Sequence, residues 1–293
     1  MILPTYNRGK VLSKTIDSVI NQSYEKFELL VIDDGSNDDT HNIVKKFNDK
    51  RIRYFKNTHS GLPAVPRNFG IKNSKFEWIC FLDSDDMWYP EKLEIVKNSI
   101  LSNENILLFC HNEILIKNNL KSLIKHSVDI SSNFYRQLLV HGNKLSPSAV
   151  CLSKKYLIEK KILFNENVNL KIVEDYDFWL NFFQYHNDIM YINEVLSEYI
   201  VLPDSISNNT LLYLENLENL YINHVYNIQK FTKNKNQLMN KLKTNLLIIK
   251  AKFYLNNIDI YKFLKTIAIL LFKYNRYFLC KLFFKVINVN KKI

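Results

Sequence analysis

Short apolar runs and segments of helical spacing alternate along the first hundred residues. Met1-Ile2-Leu3 reads as the end of a strand, broken by Pro4-Thr5-Tyr6-Asn7. Leu12, Ile16, Val19 and Ile20 then recur at helical spacing. The run Phe27-Glu28-Leu29-Leu30-Val31-Ile32 predicts a buried strand that stops at Asp33-Asp34-Gly35-Ser36. Thr40 is placed to cap a helix carrying Ile43, Val44 and Phe47. Residues 52–55 alternate as a strand does, and 63–73 read as a helix. Trp78-Ile79-Cys80-Phe81-Leu82 predicts another buried strand, and a helical pattern starts at Glu91. Strand and helix in alternation predict an α/β fold, a mostly parallel sheet with helices on both faces.

After residue 105 the pattern changes. Residues 106–116 read as a strand or hairpin arm, and 117–146 as loop with a short helical stretch near 134–140. A strand is expected over 148–152. A helix is expected from Glu174, with Phe178, Trp179, Phe182 and Phe183 on its apolar face. From 206 onward proline and glycine disappear, and 211–231, 237–256 and 259–288 read as helices with lysine-rich polar faces. The expected organisation is a body over 1–205, divided near 104, followed by a basic helical region over 206–293.

Composition changes this picture in two ways. The formal charge of +11 over 293 residues is unevenly placed. Residues 1–205 carry 25 Lys and Arg against 26 Asp and Glu, whereas 206–293 carry 15 against 3. A nearly neutral body with a basic appendage is implied, rather than a generally nucleic-acid-binding chain. The four cysteines, at 80, 110, 151 and 280, have no partner at zinc spacing, and three lie in apolar runs. That usage predicts a reducing, cytoplasmic compartment. No charged segment followed by a long apolar run opens the sequence, so no signal peptide is expected, and no apolar run in the tail is long enough to span a bilayer.

The candidate chemistry is acidic. The strand over 78–82 ends in Asp83-Ser84-Asp85-Asp86, three carboxylates in four positions. Mutual repulsion there is relieved by a hard divalent cation, Mg²⁺ or Mn²⁺, shared between carboxylates and substrate phosphates. A solvated acidic turn, with Asp86 near the next helix start, produces the same short pattern. The ends of the strands near 4, 33 and 83 would meet at one sheet edge, where nucleotides bind in open α/β sheets. Only five glycines are present, and neither a G-x-G-x-x-G nor a Walker A loop occurs, so a bound diphosphate must be neutralised otherwise. Glu174, Asp175 and Asp177 begin a helix; acids there complement the dipole, or one serves as a general base facing the same crevice.

Taken in order, Pro4-Thr5-Tyr6-Asn7-Arg8, Ser18-Val19-Ile20-Asn21-Gln22-Ser23, Val31-Ile32-Asp33-Asp34-Gly35-Ser36, Gly61 through Arg67-Asn68, Phe81-Leu82-Asp83-Ser84-Asp85-Asp86 and Glu174-Asp175-Tyr176-Asp177 resemble the family 2 glycosyltransferases. The resemblance covers roughly residues 1–205. It implies the GT-A fold and inverting transfer of a hexosyl or N-acetylhexosaminyl group from a nucleotide-sugar, usually a UDP-sugar. It further implies that Pro4, Tyr6 and Asp34 hold the nucleobase and ribose, that Asp83 lies on the ribose side, and that Arg67 approaches the nucleotide. Asp85 would ligate Mn²⁺ or Mg²⁺, and Asp175, beside Glu174, would be the catalytic base. Two departures stand out. The family has more apolar residues before the Pro-Thr-Tyr-Asn turn, and its Tyr-Arg-x-His is here Tyr199-Ile200-Val201-Leu202.

Other readings stay open. A nucleotidyltransferase also pairs acids with Mg²⁺ but carries a glycine-rich loop. A non-catalytic nucleotide-sugar-binding descendant would keep the fold. The tail's aromatic and lysine interleaving suits a helical core with a solvated face better than a nucleic-acid surface. The expected partners are a nucleotide-sugar, a glycan or lipid-linked acceptor and an anionic membrane surface, with no nucleic acid. The tail, and Phe263 to Val286 in particular, predicts peripheral attachment to the inner face of the cytoplasmic membrane.

Overall fold

In the computed structural model, which describes residues 1–126, 133–203 and 205–274, three strands pair in parallel in the order β1-β2-β3. They are Ile2–Thr5 (β1), Leu29–Asp33 (β2) and Ile52–Lys56 (β3). All five residues of β2 are buried, as befits a central parallel strand covered on both faces. Helix α1 (Gly9–Ile20) buries Leu12, Ile16 and Val19, with Thr15 on the same side. Thr40 is the first residue of α2 (Thr40–Lys46) rather than its cap. Its hydroxyl donates to Asp38 Oδ1 at 2.5 Å and accepts from the Arg8 amide at 3.3 Å, tying the two turns together. Helix α3 (Ala64–Asn73) lies so close to β1 that a Cβ on Gly70 would sit 2.4 Å from Ile2 Cγ2.

The sheet continues past β1. Phe81 bridges Ile2 in parallel, and the Leu82 amide donates to the Ile2 carbonyl at 3.0 Å. Phe81 follows β4 (Trp78–Cys80), which belongs to a second sheet of order β4-β8-β6-β9-β5, with β7 paired to β6. The other strands are β5 (Met87–Trp88), β6 (Leu108–Lys117), β7 (Leu120–Ile124), β8 (Val150–Ser153) and β9 (Met190–Val201). Apart from β6 with β9, its pairs are antiparallel. The wholly parallel part is therefore the three-stranded sheet of the first third of the chain, and the second sheet is mixed.

Helices α4 (Lys92–Ser102), α5 (Phe134–His141), α6 (Lys154–Lys160) and α7 (Glu174–Phe183) complete this unit. Three features depart from the sequence reading. Residues 117–124 are not loop: Lys117 pairs with Leu120 across Asn118 and Asn119, both at positive φ, the hairpin turn that asparagine tolerates. β9 was not anticipated, because Asn193, Glu194 and Glu198 interrupt its apolar pattern. The strand placed at 148–152 begins only at Val150, after a 3₁₀ turn over Pro147–Ala149.

An aromatic cluster joins the halves of this unit. Phe164 stacks on Phe178 at 4.1 Å, and Phe81 meets both rings edge-on. Burying each phenylalanine contributes about 1.5–3 kcal/mol. The cluster also fixes the distance between the end of β4 and the start of α7.

The chain divides into two compact units, Met1–Asn208 and a second beginning at Asn209. The second contains α8 (Thr210–Asn223), which runs into a π-helical turn over His224–Ile228, then α9 (Lys235–Asn256) and α10 (Ile260–Lys273). Asn209, Asn234 and Asp259 cap the three helices by accepting from Leu212, Gln237 and Lys262 amides. Leu214, Leu217 and Leu220 of α8, Met239, Leu242 and Leu246 of α9 and Leu270 of α10 are buried. The predicted helix over 259–288 ends within the described residues at Lys273, and Arg276, Lys281 and Lys285 lie outside them.

Candidate active site

The site grows from four strand ends. Past β1, Asn7 takes φ 51° and turns the chain into α1. Past β2, Asp33 Oδ1 accepts from the Ser36 amide at 2.7 Å, and its Oδ2 accepts from Tyr54 at 2.5 Å. Asp33 is thus a structural residue of the turn. Asp34 accepts from the Ser60 amide and hydroxyl and from the Gly61 amide, at 2.8–3.1 Å for their shortest bonds. The turn between them needs Gly35, whose φ is 81° and whose Cβ position is only 2.7 Å from the His59 amide nitrogen. His59 stacks on Tyr6, rings 3.9 Å apart and 15° from parallel, while Tyr6 stays 39% exposed.

The Asp83-Ser84-Asp85-Asp86 turn separates its three acids by environment. Asp86 is fully buried; its Oδ2 accepts from the Ser148 hydroxyl at 2.5 Å and its Oδ1 from the Ile200 amide at 2.9 Å. It does not cap α4, as the sequence had suggested, but pins the turn to β9. Burial pushes its carboxyl well above the usual carboxylate range, and Asp83, Asp85 and Glu113 add to the effect. Ser148 Oγ also accepts from the Asp83 amide at 3.1 Å. Beneath, the Ser148 carbonyl accepts from Lys92 Nζ at 2.6 Å and Trp88 Nε1 at 3.0 Å. Lys92 is fully buried 3.4 Å from the Trp88 ring centre, and burial lowers its ammonium to about 8.

Arg67, from α3, joins two acids. Nη1 donates to Glu174 Oε1 and Nη2 to Asp83 Oδ1, each at 2.6 Å. Arg67 is 4% exposed, and its Nε is buried without a hydrogen-bond partner. Asp175, one residue on, is half-buried; its Oδ2 accepts from Asn143 Nδ2 at 3.0 Å. Burial pushes the Glu174 carboxyl up to about 7 and the Asp175 carboxyl up to about 6, against the pull of Arg67.

These turns border one crevice of about 550 Å³, although Asp33, Asp86, Ser148, Trp88 and Lys92 do not line it. Pro4, Tyr6, Asp34, Arg67, Asp83, Asp85, Glu174 and Asp175 all line it. Arg8, His59, Asn143, Ser146 and Lys171 line it too, and the sequence reading gave none of them a role. Arg8 was visible within the first motif; the others have no signal beyond their place in loops. Tyr199 and Ile200, in place of the family's Tyr-Arg, also reach the crevice. Its cationic side chains are instead Arg8, Arg67 and Lys171. Among the described residues, no three His, Cys, Asp or Glu side chains group so as to hold a metal by themselves. An all-oxygen set of Asp83 and Asp85, with Asp83 engaged by Arg67, suits a hard cation that takes further ligands from phosphates.

Among curated proteins, a poly(ribitol-phosphate) β-N-acetylglucosaminyltransferase, TarP of Staphylococcus aureus, is 32% identical over 263 residues, covering 84% of this chain and 78% of its own. An Escherichia coli UDP-Glc:α-D-GlcNAc-diphosphoundecaprenol β-1,3-glucosyltransferase, WfgD, is 33% identical over 211 residues, covering 71% of this chain and 79% of its own. Among solved structures, S. aureus TarS 1-349 in complex with UDP-GlcNAc superposes with a TM-score of 0.67 at 22% identity, over 83% of this chain and 70% of that one. The mannosyltransferase PcManGT from Pyrobaculum calidifontis, in complex with GDP-Man and Mn²⁺, does so at 0.60 and 15%, over 93% and 80%. These likenesses give the fold, mixed α/β of the GT-A type. The family description "Glycosyl transferase family 2" matches residues 1–200. With that match over more than half its length, the chain belongs to glycosyl transferase family 2 and is a glycosyltransferase.

Proposed function

We propose that this protein transfers a hexosyl or N-acetylhexosaminyl group from a UDP-sugar to a hydroxyl of a glycan or lipid-linked acceptor, with inversion. The observation that carries the reading is the meeting of Asp85, Arg67 and Asp175 in one crevice with Tyr6 and Asp34. Residues 1–104 supply the nucleotide-binding half and 105–205 the acceptor half. WfgD is named for a UDP-glucose donor and a diphosphoundecaprenol-linked acceptor, and TarP for a polymer acceptor, which supports both acceptor classes.

In this reading Pro4 and Tyr6 receive the nucleobase, with His59 backing the Tyr6 ring. Asp34, held by the 60–61 loop amides, orients the nucleoside, and Asp83 faces its ribose. Asp85 holds Mg²⁺ or Mn²⁺, which when bound stabilises charge on the leaving diphosphate. Arg8 and Lys171 line the same crevice and add positive charge for the diphosphate in a site without a glycine-rich phosphate loop. Asp175 takes the proton of the acceptor hydroxyl as its oxygen bonds to the anomeric carbon and the bond to the diphosphate breaks. Asn143 orients that carboxylate, and Glu174 holds Arg67 in place.

Thermal unfolding with a panel of nucleotide-sugars, with and without Mn²⁺, tests the donor. A UDP-sugar should raise the melting temperature most, and more with Mn²⁺, because ligands of the native state stabilise it by mass action. Stabilisation by no nucleotide-sugar would overturn the reading in favour of a non-catalytic descendant. Peripheral attachment to the inner face of the cytoplasmic membrane, beside a lipid-linked acceptor, is part of the same proposal. No helix among the described residues is long and apolar enough to cross a membrane.

A further inference from the structure

Helix α10 is apolar on two faces. Phe263, Thr266 and Leu270 lie on one, and Leu270 is 1% exposed. On the other, Tyr261, Leu264, Ala268 and Phe272 follow one another at three- and four-residue spacing. Tyr261 is 75% exposed, Leu264 59% and Phe272 91%. An apolar helix face is ordinarily buried against a neighbour. Here the outer stripe faces solvent.

The turn into α10 repeats the theme. Ile258 is 81% exposed and holds φ at 58°. A β-branched residue in the left-handed region is strained, and asparagine or glycine is the usual occupant. The preceding Asn256 and Asn257 are available in the sequence for that position, yet isoleucine occupies it. The strain places an apolar side chain at the hairpin tip, next to half-exposed Leu255 and Ile260.

Charge chooses the partner. Residues 209–274 carry ten lysines and no arginine against three acids, Glu215, Glu218 and Asp259. Lys252, Lys262 and Lys265 are exposed around the tip and stripe, and Lys273 ends the helix. Glu218 is taken up by Lys243 at 2.7 Å and Asp259 by Lys262 at 2.7 Å. An exposed apolar stripe bordered by lysines that outnumber the acids suits the interface of an anionic bilayer, where rings and aliphatic chains enter among the headgroups and lysines reach the phosphates.

We propose that the α9–α10 hairpin tip and the outer stripe of α10, Ile258, Tyr261, Leu264 and Phe272, form the surface that docks this protein on an anionic membrane. The inference rests on the peripheral attachment in the reading above and names the contact that makes it. It involves none of the residues assigned to sugar transfer, so the two can fail separately.

Flotation of the full-length protein with phosphatidylglycerol-containing and purely phosphatidylcholine vesicles tests it. The protein should float with the anionic vesicles at low salt, sink with the neutral ones, and detach as salt rises. Leu264→Ser with Phe272→Ser should lower partitioning by about tenfold or more, with turnover on a soluble acceptor unchanged. Ile258→Asn separates docking from folding. Relief of the left-handed strain should keep or raise the melting temperature while vesicle binding falls. Equal flotation with neutral vesicles, or full flotation of these variants, would overturn the proposal. So would a dimer in light scattering that the stripe variants dissolve, since the stripe would then bind a second copy. A protein that docks but turns over no nucleotide-sugar would sink the function and leave the docking intact.

Discussion

Arg67 Nη1 donates to Glu174 Oε1 at 2.6 Å across 107 positions of sequence, and both residues are buried. The same guanidinium reaches Asp83 with Nη2. One side chain from α3 therefore ties the acidic turn after β4 to the acids that open α7.

Arg67→Met removes the cation of that pair and leaves Glu174 buried without this partner. Breaking such a pair costs about 3–5 kcal/mol, whereas replacing both partners with apolar groups is far milder. Urea unfolding should show Arg67→Met as strongly destabilised and Arg67→Met with Glu174→Met as partly restored. Simple addition of the two single losses would mean that the pair does not act as a unit.

Asp175 belongs to the chemical step in the proposed mechanism. Asp175→Asn should lower turnover by roughly 10²–10⁴-fold while leaving UDP affinity nearly unchanged. Calorimetry alongside initial rates separates the two effects. A dead Glu174→Gln beside an active Asp175→Asn would transfer the base role to Glu174.

The pH profile follows from the same carboxyl. Burial pushes it up to about 6, and a base must be deprotonated, so turnover should rise with pH through that region. Asn143 donates to the charged form and so lowers this value. Asn143→Leu should move the acid limb of the profile to higher pH. A limb that stays in place would remove Asn143 from the proton-transfer machinery.

Asp85 and Asp86 are neighbours with opposite expected phenotypes. Asp85→Ala should abolish the Mn²⁺-dependent part of UDP binding and leave the melting temperature close to the parent's. Asp86→Ala strips the Ser148 hydroxyl and the Ile200 amide of their acceptor, so unfolding should come earlier by about 1–3 kcal/mol. Unchanged UDP affinity in Asp85→Ala would refute its metal role.

Gly70 tests the packing that seats α3. Alanine is the better helix former by about 1 kcal/mol. In Gly70→Ala, however, the new methyl would meet Ile2 Cγ2, at the start of β1, at 2.4 Å. Overpacking of this kind costs about 1–3 kcal/mol, so the variant should melt earlier despite its better propensity. A later melt would show that α3 can move away from β1 freely.

Local pattern was enough to place β2, α1, α3 and α7, because each element announces itself over a few neighbouring positions, whereas the eight candidate site residues were marked by the order of motifs that resembles the family. Apolar runs stop at carboxylates, and the phenylalanines of α7 keep helical spacing. Pairings between distant segments are not local. β9 carries polar residues because its partners, β6 and β5, supply different surroundings along its length. The role of Asp86 depends on Ser148 and Ile200, 62 and 114 positions away. Lys92 looks like an ordinary helix-start lysine until the fold closes over it and gives it a carbonyl and an indole. Sequence alone determined which residues are candidates for the chemistry, since residue type and motif order are one-dimensional facts. Only the tertiary structure decided which acid is buried, which faces the crevice and which cation holds them, because burial and hydrogen bonding are set by residues far apart in the chain.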